Sequence, residues 1–329
     1  MNEQKPDRDD IGTLIRLAKQ ESKIPTERAE RVRAAAREKW VQETGRRRRS
    51  RVFWSVAAAA AAVAGIAFVI RSIPAPEVAD PASVAAHVEH LEGSVQTAAL
   101  GSDRWSTLWD GHAIPSATAL RTFAGRVSLR LDSGHGARID RDSEVRFLDS
   151  GGLELAAGRI YVDSGRDSRD SPIDLYTPYG IVEEIGTQYE AWLNEGLLRL
   201  RLREGSVTLH HPDGDLSVNA GQELLVSATQ EPAIASVEPY GPHWDWVSEI
   251  GTIPDFRGRT ADEFLRWLAR EKGWELEFAD VTVEEAARLI VLEGDLTPYS
   301  PDEALQIVAT TSRLHRTTEA GVLRVSAER

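Results

Sequence analysis

The chain has 329 residues and no cysteine, so it is long enough for roughly two domains, and disulfide bonds, thiol chemistry and cysteine-ligated metals are excluded. Hydrophobic residues at 41% and charged residues at 28% are typical of packed cores rather than of wholesale disorder. The net charge of -13 is unevenly distributed. Residues 1–51 hold 15 Lys and Arg against 9 Asp and Glu, whereas residues 72–329 hold 23 against 43. The sign changes across the uncharged stretch 52–70.

Residues 52–70, VFWSVAAAAAAVAGIAFVI, predict a transmembrane helix. A helix of 19 residues rises about 28 Å, close to the roughly 30 Å hydrocarbon core of a bilayer. A buried helix of a soluble protein is the alternative, but such a helix seldom lacks a polar face over five turns. Basic residues beside a span stay in the cytoplasm, which predicts an inner-membrane protein with a cytoplasmic N-terminus and an exported C-terminal part. The residues expected to anchor the span in membrane lipid are Arg46, Arg47, Arg48, Arg49, Arg51 and Trp54.

Residues 1–51 predict a short helical segment on the cytoplasmic side. Leu14 and Ile15 lie in the apolar stripe of a first helix, and Val32 and Trp40 lie on one face of a second. Two short helices bury little surface by themselves, so these four residues are candidate contacts to a partner protein. A disordered membrane-proximal tail is the alternative that the sequence leaves open.

A proline-containing linker at residues 71–86 precedes a region of recurring strand-like runs. The runs are Leu91–Val95, Arg126–Leu131, Glu144–Leu148, Gly158–Val162, Gln188–Leu193, Leu197–Leu202, Val207–His210 and Leu224–Val226. Apolar residues alternate within them, as at Val127, Leu129 and Leu131, and Gly, Asp, Asn and Ser separate them. This spacing predicts a mainly β exported domain, a sandwich or a solenoid-like stack, without long helices.

Short motifs in residues 87–226 follow one another in the order found in the FecR domain. They include Leu91-Glu92-Gly93-Ser94-Val95, Ile185-Gly186-Thr187-Gln188-Tyr189-Glu190, Arg203-Glu204-Gly205-Ser206-Val207 and Ala220-Gly221-Gln222-Glu223. The region therefore resembles the FecR family, whose domain is periplasmic and follows a single span. Its members relay the state of an outer-membrane TonB-dependent transporter, often for iron, to an extracytoplasmic-function sigma factor. The resemblance implies two partners: a sigma factor in the cytoplasm, and a TonB-dependent receptor or another envelope protein in the periplasm.

A second linker, residues 227–252, contains Trp244 and Trp246. Both are candidate partner contacts, and their alternative role is to pack the linker onto the β region. Trp105 and Trp109 have the same two candidate roles: contact with a partner protein, or packing within this one.

An internal repeat follows at residues 253–328, a small α+β domain. Thr260–Ala269 and Ser300–Ala309 match at an offset of 40, and each begins with a capping box. Predicted strands at Trp274–Phe278 and Arg288–Leu292 and a hairpin over Leu314–Val325 complete a βαβ repeat. The pattern resembles the short N-terminal signalling module of secretins and TonB-dependent receptors. That resemblance implies docking to a partner through a sheet edge, and self-association is the alternative.

No catalytic, cofactor-binding or metal-binding residues are predicted. The eight histidines include no HExxH motif, and His210 and His211 beside a turn indicate a solvated loop pair. Glu183 and Glu184 face opposite sides of a strand, which favours solvation over paired catalytic carboxylates. An acidic exported part argues against direct binding of nucleic acid. The sequence thus favours a regulator that works by protein binding, with an envelope scaffold lacking any sigma-factor partner as the alternative.

Overall fold

The computed structural model describes residues 83–165 and 172–327. They contain a β domain, residues 84–236, a connecting segment, residues 237–252, and a C-terminal module, residues 253–327. Within the described ranges, no helix has the length and apolar character needed to cross a bilayer. The predicted span and cytoplasmic segment lie outside these ranges, and so do their candidate residues, Leu14, Ile15, Val32, Trp40, Arg46, Arg47, Arg48, Arg49, Arg51 and Trp54.

The β domain is one branched system of 15 hydrogen-bonded strands. The strands are β1 Val84–Glu92, β2 Val95–Ala99, β3 Ser106–Thr107, β4 Ala113–Pro115, β5 Thr118–Thr122, β6 Arg126–Leu131, β7 Gly136–Ile139, β8 Glu144–Phe147, β9 Leu153–Asp163, β10 Leu175–Thr177, β11 Gly180–Asn194, β12 Leu197–His211, β13 Gly214–Asn219, β14 Gln222–Ser227 and β15 Ala233–Ser236. The predicted mainly β character is confirmed. The predicted run Leu91–Val95 is wrong, because Gly93, at φ 68°, turns the chain between β1 and β2. Each of the other predicted runs falls on a strand, but β9, β11 and β12 are several residues longer than predicted, and β12 joins the two predicted runs Leu197–Leu202 and Val207–His210.

The long strands change partners along their length, which folds the sheet around a single core. The main path runs β15-β14-β12-β11-β10-β9-β7-β6-β1-β4, and a branch connects β2 through β5 and β8 to β9. The first half of β9 pairs with β8, whereas its second half pairs with β7 and β11. The change occurs at Gly158, whose φ of +85° is open to glycine, and a Cβ there would lie 2.3 Å from Ser143 Oγ. Corners of this kind let two sheet layers pack at a large angle.

Apolar side chains alternate into the core of the β domain. Val127, Leu129 and Leu131 are buried, which confirms the alternation predicted for β6. In β11 the apolar Tyr189 and the charged Glu190 are both fully buried although they face opposite sides. The face of β11 that carries Tyr189 therefore packs on the apolar core. The face that carries Glu190 is covered by other parts of the protein.

The C-terminal module packs helices on a sheet of three strands in the order β16-β18-β17. A 3-10 turn, Pro242–Trp244, and helix α1, Asp245–Ile250, precede it; its own elements are α2 Ala261–Lys272, β16 Glu275–Phe278, α3 Val281–Leu289, α4 Pro301–Thr311, β17 Leu314–Glu319 and β18 Val322–Ala327. Both predicted capping boxes are confirmed, at Thr260 with Glu263 and at Ser300 with Glu303. The predicted hairpin is also confirmed, with its turn at residues 320–321.

The predicted strand Arg288–Leu292 is wrong. Asp280 accepts hydrogen bonds from the N–H groups of Thr282 and Val283, and this cap starts α3, which continues to Leu289. Only Val291 forms an isolated bridge, to Thr260. The two halves of the module therefore share their capped helices, but the strands do not complete the predicted βαβ repeat.

Candidate functional site

Trp244 and Trp246 lie in the connecting segment and are buried against the β domain, at 1% and 5% exposure. The indole N–H of Trp244 donates to the carbonyl of Glu238 at 2.9 Å, and that of Trp246 donates to the Glu190 carboxylate at 2.9 Å. The Tyr161 ring meets Trp244 edge-on, with 6.2 Å between centroids. In this conformation the two tryptophans serve as packing and present no surface to a partner.

Glu190 is the centre of a buried charge cluster on the β11 face opposite the apolar core. The residue is fully buried and ends the Gly186–Glu190 motif. Its carboxylate accepts a hydrogen bond from Arg199 at 3.1 Å and lies 3.8 Å and 3.9 Å from the guanidinium nitrogens of Arg159 and Arg201. Burial lowers the pKa of Arg199, and the positive charge of Arg201 adds to this, so that attraction by Glu190 offsets them only in part. The cluster therefore holds several like charges together around one acid.

Three arginines of this face lie on β12 at alternate positions, Arg199, Arg201 and Arg203, and all are buried. Sequence reasoning missed them because Leu198, Leu200 and Leu202 alternate with them as a normal apolar face. In the sequence, the face of β12 that carries the arginines is typical of a solvent-exposed face. In the structure, α1 and α2 cover it. The available signal was the uninterrupted repetition of one basic residue type on a single face of a strand.

A second cluster joins the β domain to helix α2 of the C-terminal module. Arg270 donates to both oxygens of Asp163 at 2.7 Å each, and its Nε lies 2.9 Å from Glu204. Asp163 also accepts from the Gln188 side chain at 3.1 Å. Burial alone would raise the pKa of Asp163, but the hydrogen bonds and charge of Arg270 lower it below its ordinary value. This bidentate pair links α2 to β9 and to the Gly186–Glu190 motif.

Glu271, next to Arg270 on α2, also contacts the β domain, through two further arginines. Arg138 donates from Nη2 to the Glu271 carboxylate at 3.0 Å and from Nη1 to the carbonyl of Val247 at 2.9 Å. Arg203 donates to the carbonyl of Glu271 at 2.8 Å and to that of Pro239 at 2.7 Å. Two arginines of the β domain thus bind both the connecting segment and α2, which makes these contacts a specific interface between the two parts.

Glu183 and Glu184 occupy opposite faces of β11, as predicted, but the expected solvation holds only for Glu183. Glu184 is buried and lies 2.6 Å from Nε2 of His135, which is buried as well. Thr187 Oγ1 donates to Glu184 at 2.7 Å, and Ser133 Oγ lies 2.9 Å from the other ring nitrogen of His135. Glu184 and His135 therefore form a buried contact that connects the turn before β7 to the Gly186–Glu190 motif.

His210 and His211 end strand β12 rather than lying in a loop, which corrects that prediction. His210 is exposed, as expected, and its ring nitrogens lie 2.8 Å from Glu183 and 3.0 Å from Asp215. Hydrogen bonds to Glu183 and Asp215 raise the pKa of His210 above its ordinary value. Among the residues that the structure describes, no group of three or more histidines and carboxylates is placed to hold a metal ion.

Trp105 and Trp109 differ in their surroundings. The Arg121 guanidinium lies 3.8 Å above the Trp105 ring. Trp109 is 60% exposed, and its ring meets His112 edge-on at 4.3 Å between centroids. Of Trp105, Trp109, Trp244 and Trp246, only Trp109 is mostly exposed to solvent.

Comparison with known proteins identifies a FecR domain: the family model described as FecR protein matches residues 118–208. That range spans strands β5 to β12 and includes Asp163, Glu184, Glu190 and Arg203. No curated protein sequence matches the chain. Two crystal structures of a candidate anti-sigma factor from Parabacteroides distasonis ATCC 8503 are similar, both at 14% identity and both covering 63% of this chain. Their TM-scores are 0.35 and 0.34, with 97% and 96% of the solved chains covered.

Proposed function

We propose that the chain is a single-pass inner-membrane regulator that relays an envelope signal to a sigma factor by protein binding. The observation that carries the proposal is the FecR domain at residues 118–208. The charge distribution supports the topology, since five arginines directly precede the uncharged stretch 52–70 and the acidic part follows it. In this proposal residues 1–51 contact the sigma factor, and the β domain and the C-terminal module lie in the periplasm.

The interface at α2 supplies a route by which an event at the C-terminal module reaches the β domain. Arg270 and Glu271 on α2 contact Asp163, Arg138 and Arg203 of the β domain directly. A ligand or partner that binds differently to the docked and undocked arrangements shifts the equilibrium between them. The relay therefore works through the choice of contacts at this interface.

The envelope partner binds the C-terminal module in this proposal. Within the described residues, β16 and β17 each pair only with β18, so both outer strands have an open edge. Open strand edges accept an extended segment of another protein by main-chain hydrogen bonding. A TonB-dependent receptor or another envelope protein is the proposed source of that segment, by analogy with the signalling modules that residues 253–328 resemble.

Binding of a purified candidate sigma factor to the full-length chain tests the cytoplasmic half of the proposal. Substitution of Leu14 and Ile15 by lysine should abolish capture, because it places charge in the apolar stripe. Gln4→Lys adds charge outside that stripe and should leave capture unchanged. Failure of the full-length chain to retain any sigma factor, where a known regulator of this type does so, contradicts the proposal and favours the scaffold alternative.

Topology is tested independently with alkaline phosphatase, which is active only outside the cytoplasm. A fusion after residue 83 should be active, and a fusion after residue 45 should be inactive. Activity of the second fusion, or inactivity of the first, contradicts the proposed orientation.

A further inference from the structure

A cavity of about 630 Å³ opens on the β domain. Its wall is formed by the turn between β7 and β8, by the bend of β9 at Gly158 and by the hairpin turn between β11 and β12. Arg159, Trp192, Asp142 and Glu195 are among the lining residues. The volume lies within the range of roughly 300–1,000 Å³ that small-molecule sites occupy.

The Arg159 side chain lines this wall and donates no hydrogen bond among the described residues. Its Nε is buried and has no hydrogen-bond partner among the described residues. Its Nη1 lies 3.6 Å from Asp140 and 3.8 Å from Glu190, both longer than a hydrogen bond. A guanidinium has five donors, and leaving buried donors unpaired is unfavourable. The Arg159 side chain is 27% exposed and lines the cavity, so its terminal guanidinium nitrogens, rather than the buried Nε, are placed to bind an acceptor that enters.

The acids near Arg159 are already bound to other cations. Arg126 donates to Asp140 at 2.7 Å, and Glu190 accepts from Arg199 and from the Trp246 indole. Arg199 itself stacks on Trp192, with 4.4 Å to the ring centroid. The interior end of the cavity therefore favours an anionic group, and the fork of the guanidinium suits a carboxylate.

The opposite charge lies at the mouth of the cavity. Asp142 and Glu195 are exposed, and their carboxylates have no hydrogen bond or ion pair among the described residues. Two free carboxylates beside the entrance repel a ligand that carries only negative charge and attract an ammonium group. Arg141 is also exposed in the lining and offsets one of these charges, so the entrance carries a net negative charge while the interior end presents Arg159.

We propose that this cavity binds a zwitterionic ligand of the amino-acid or short-peptide class. The ligand carboxylate accepts hydrogen bonds from Arg159, its ammonium group faces Asp142 and Glu195, and its apolar part lies against Trp192. The proposal is independent of the sigma-factor partner, so the failure of one leaves the other standing.

Calorimetric titration of the purified full-length chain with L-alanyl-L-alanine tests the proposal. The matched probes are N-acetyl-L-alanyl-L-alanine, which lacks the ammonium group, and L-alanyl-L-alaninamide, which lacks the carboxylate. The free dipeptide should bind at least about tenfold more tightly than either probe, because each loses a charge-assisted interaction. L-Alanine and inorganic phosphate complete the series; weaker binding of alanine assigns the site to peptides, and equal binding assigns it to amino acids. Saturable binding of phosphate in preference to the dipeptide, or no saturable binding of any zwitterion at millimolar concentration, overturns the proposal.

Variants locate the binding to the cavity. Arg159→Gln should weaken binding of the dipeptide by about tenfold or more, whereas Arg104→Gln, an exposed site outside the lining, should leave it unchanged. Because Arg159 also lies near buried Glu190, Asp142→Asn provides a second test at an exposed turn position. It should weaken binding of the free dipeptide and strengthen binding of the N-acetyl dipeptide, whose negative charge Asp142 repels. Unchanged dipeptide binding in both cavity variants shows that the ligand binds elsewhere and overturns the assignment.

Discussion

The β domain and the C-terminal module differ in where their buried charged groups find partners. In the β domain Glu184, Glu190 and Arg203 are buried, and each has a partner outside its own strand: His135 in the turn before β7 for Glu184, Trp246 of α1 for Glu190 and Glu271 of α2 for Arg203. In the module, buried Asp262 pairs with Arg266 one helical turn away, and buried Glu271 is held by the β domain. The β domain is thus held by groups distant in sequence, whereas the module is held by local signals and by contacts that its neighbour supplies. Substitutions of buried charged residues should therefore affect distant parts of the β domain, whereas substitutions in the C-terminal module should have local effects.

Glu190→Gln should produce the largest effect, because it removes the fully buried acid that Arg159, Arg199 and Arg201 share. Arg199 would remain buried with its main partner gone, and removing one member of a buried ion pair costs about 3–5 kcal/mol. Urea unfolding followed by tryptophan fluorescence measures the loss. Glu231→Gln, at an exposed position, is the control and should leave the unfolding midpoint unchanged. Equal midpoints for the two variants would show that the cluster contributes nothing to stability.

Gly158→Ala should be next, because it attacks the corner that lets β9 join two layers. Its φ of +85° disfavours an L side chain, and the added Cβ would lie 2.4 Å from Ser143 Cα. Strain and overpacking together should cost about 3 kcal/mol. Gly151→Ala separates the two causes, since Gly151 has a φ of +87° and nothing within 4 Å of an added Cβ. That control should cost about 1 kcal/mol, and a matching loss in both variants would remove crowding as the cause.

Arg270→Gln should weaken the interface while leaving the β domain folded. Loss of the bidentate pair with Asp163 should cost about 2 kcal/mol of docking, seen as faster hydrogen exchange in α1 and α2. Arg257→Gln breaks an exposed pair with Asp255 and should leave hydrogen exchange in α1 and α2 unchanged, because water screens exposed ion pairs. Unchanged exchange in the Arg270 variant would show that the pair does not hold the module.

The Asp163–Arg270 pair also predicts that the docking of α2 weakens at low pH. Asp163 has a lowered pKa when docked, so its contribution is fully present above the ordinary value of 3.8 and is lost as the pH falls below it. Exchange in α2 should therefore rise as the pH falls through this window, after correction for intrinsic exchange. The Arg270→Gln variant should lose much of that pH dependence.

The signals that could be predicted from the sequence are those that act over short distances. Alternation at Val127, Leu129 and Leu131 placed β6, and the capping boxes at Thr260 and Ser300 placed two helices. The strand predicted at Arg288–Leu292 failed because a short apolar run fits a strand or a helix end equally, and the Asp280 cap decided for the helix.

The interface between the β domain and α2 was harder to predict from the sequence, because its contacts join residues that are far apart in the chain. The motif containing Glu190 was found, but its burial depends on Trp246, 56 positions later in the chain. Likewise Arg203 reaches a carbonyl of α2 that is 68 positions away. No local pattern in β12 reports which surface will cover it, so the burial of the alternating arginines could not be predicted from the sequence.

The smallest predicted effect concerns the caps of the C-terminal module. In Thr260→Ala and Ser300→Ala, the helix loses the side-chain oxygen that accepts from the N–H of Glu263 or Glu303. Each substitution should cost about 1 kcal/mol. Thr310→Ala is the matched control, because that hydroxyl bonds to the carbonyl of Gln306 within α4 and alanine favours a helix there. Hydrogen exchange should rise in the first turn of the altered helix and stay unchanged in β11 and β12. A change that spread to those strands would mean that the module transmits its local stability through Arg270 and Glu271, and the two regions would then have to be treated as one cooperative unit.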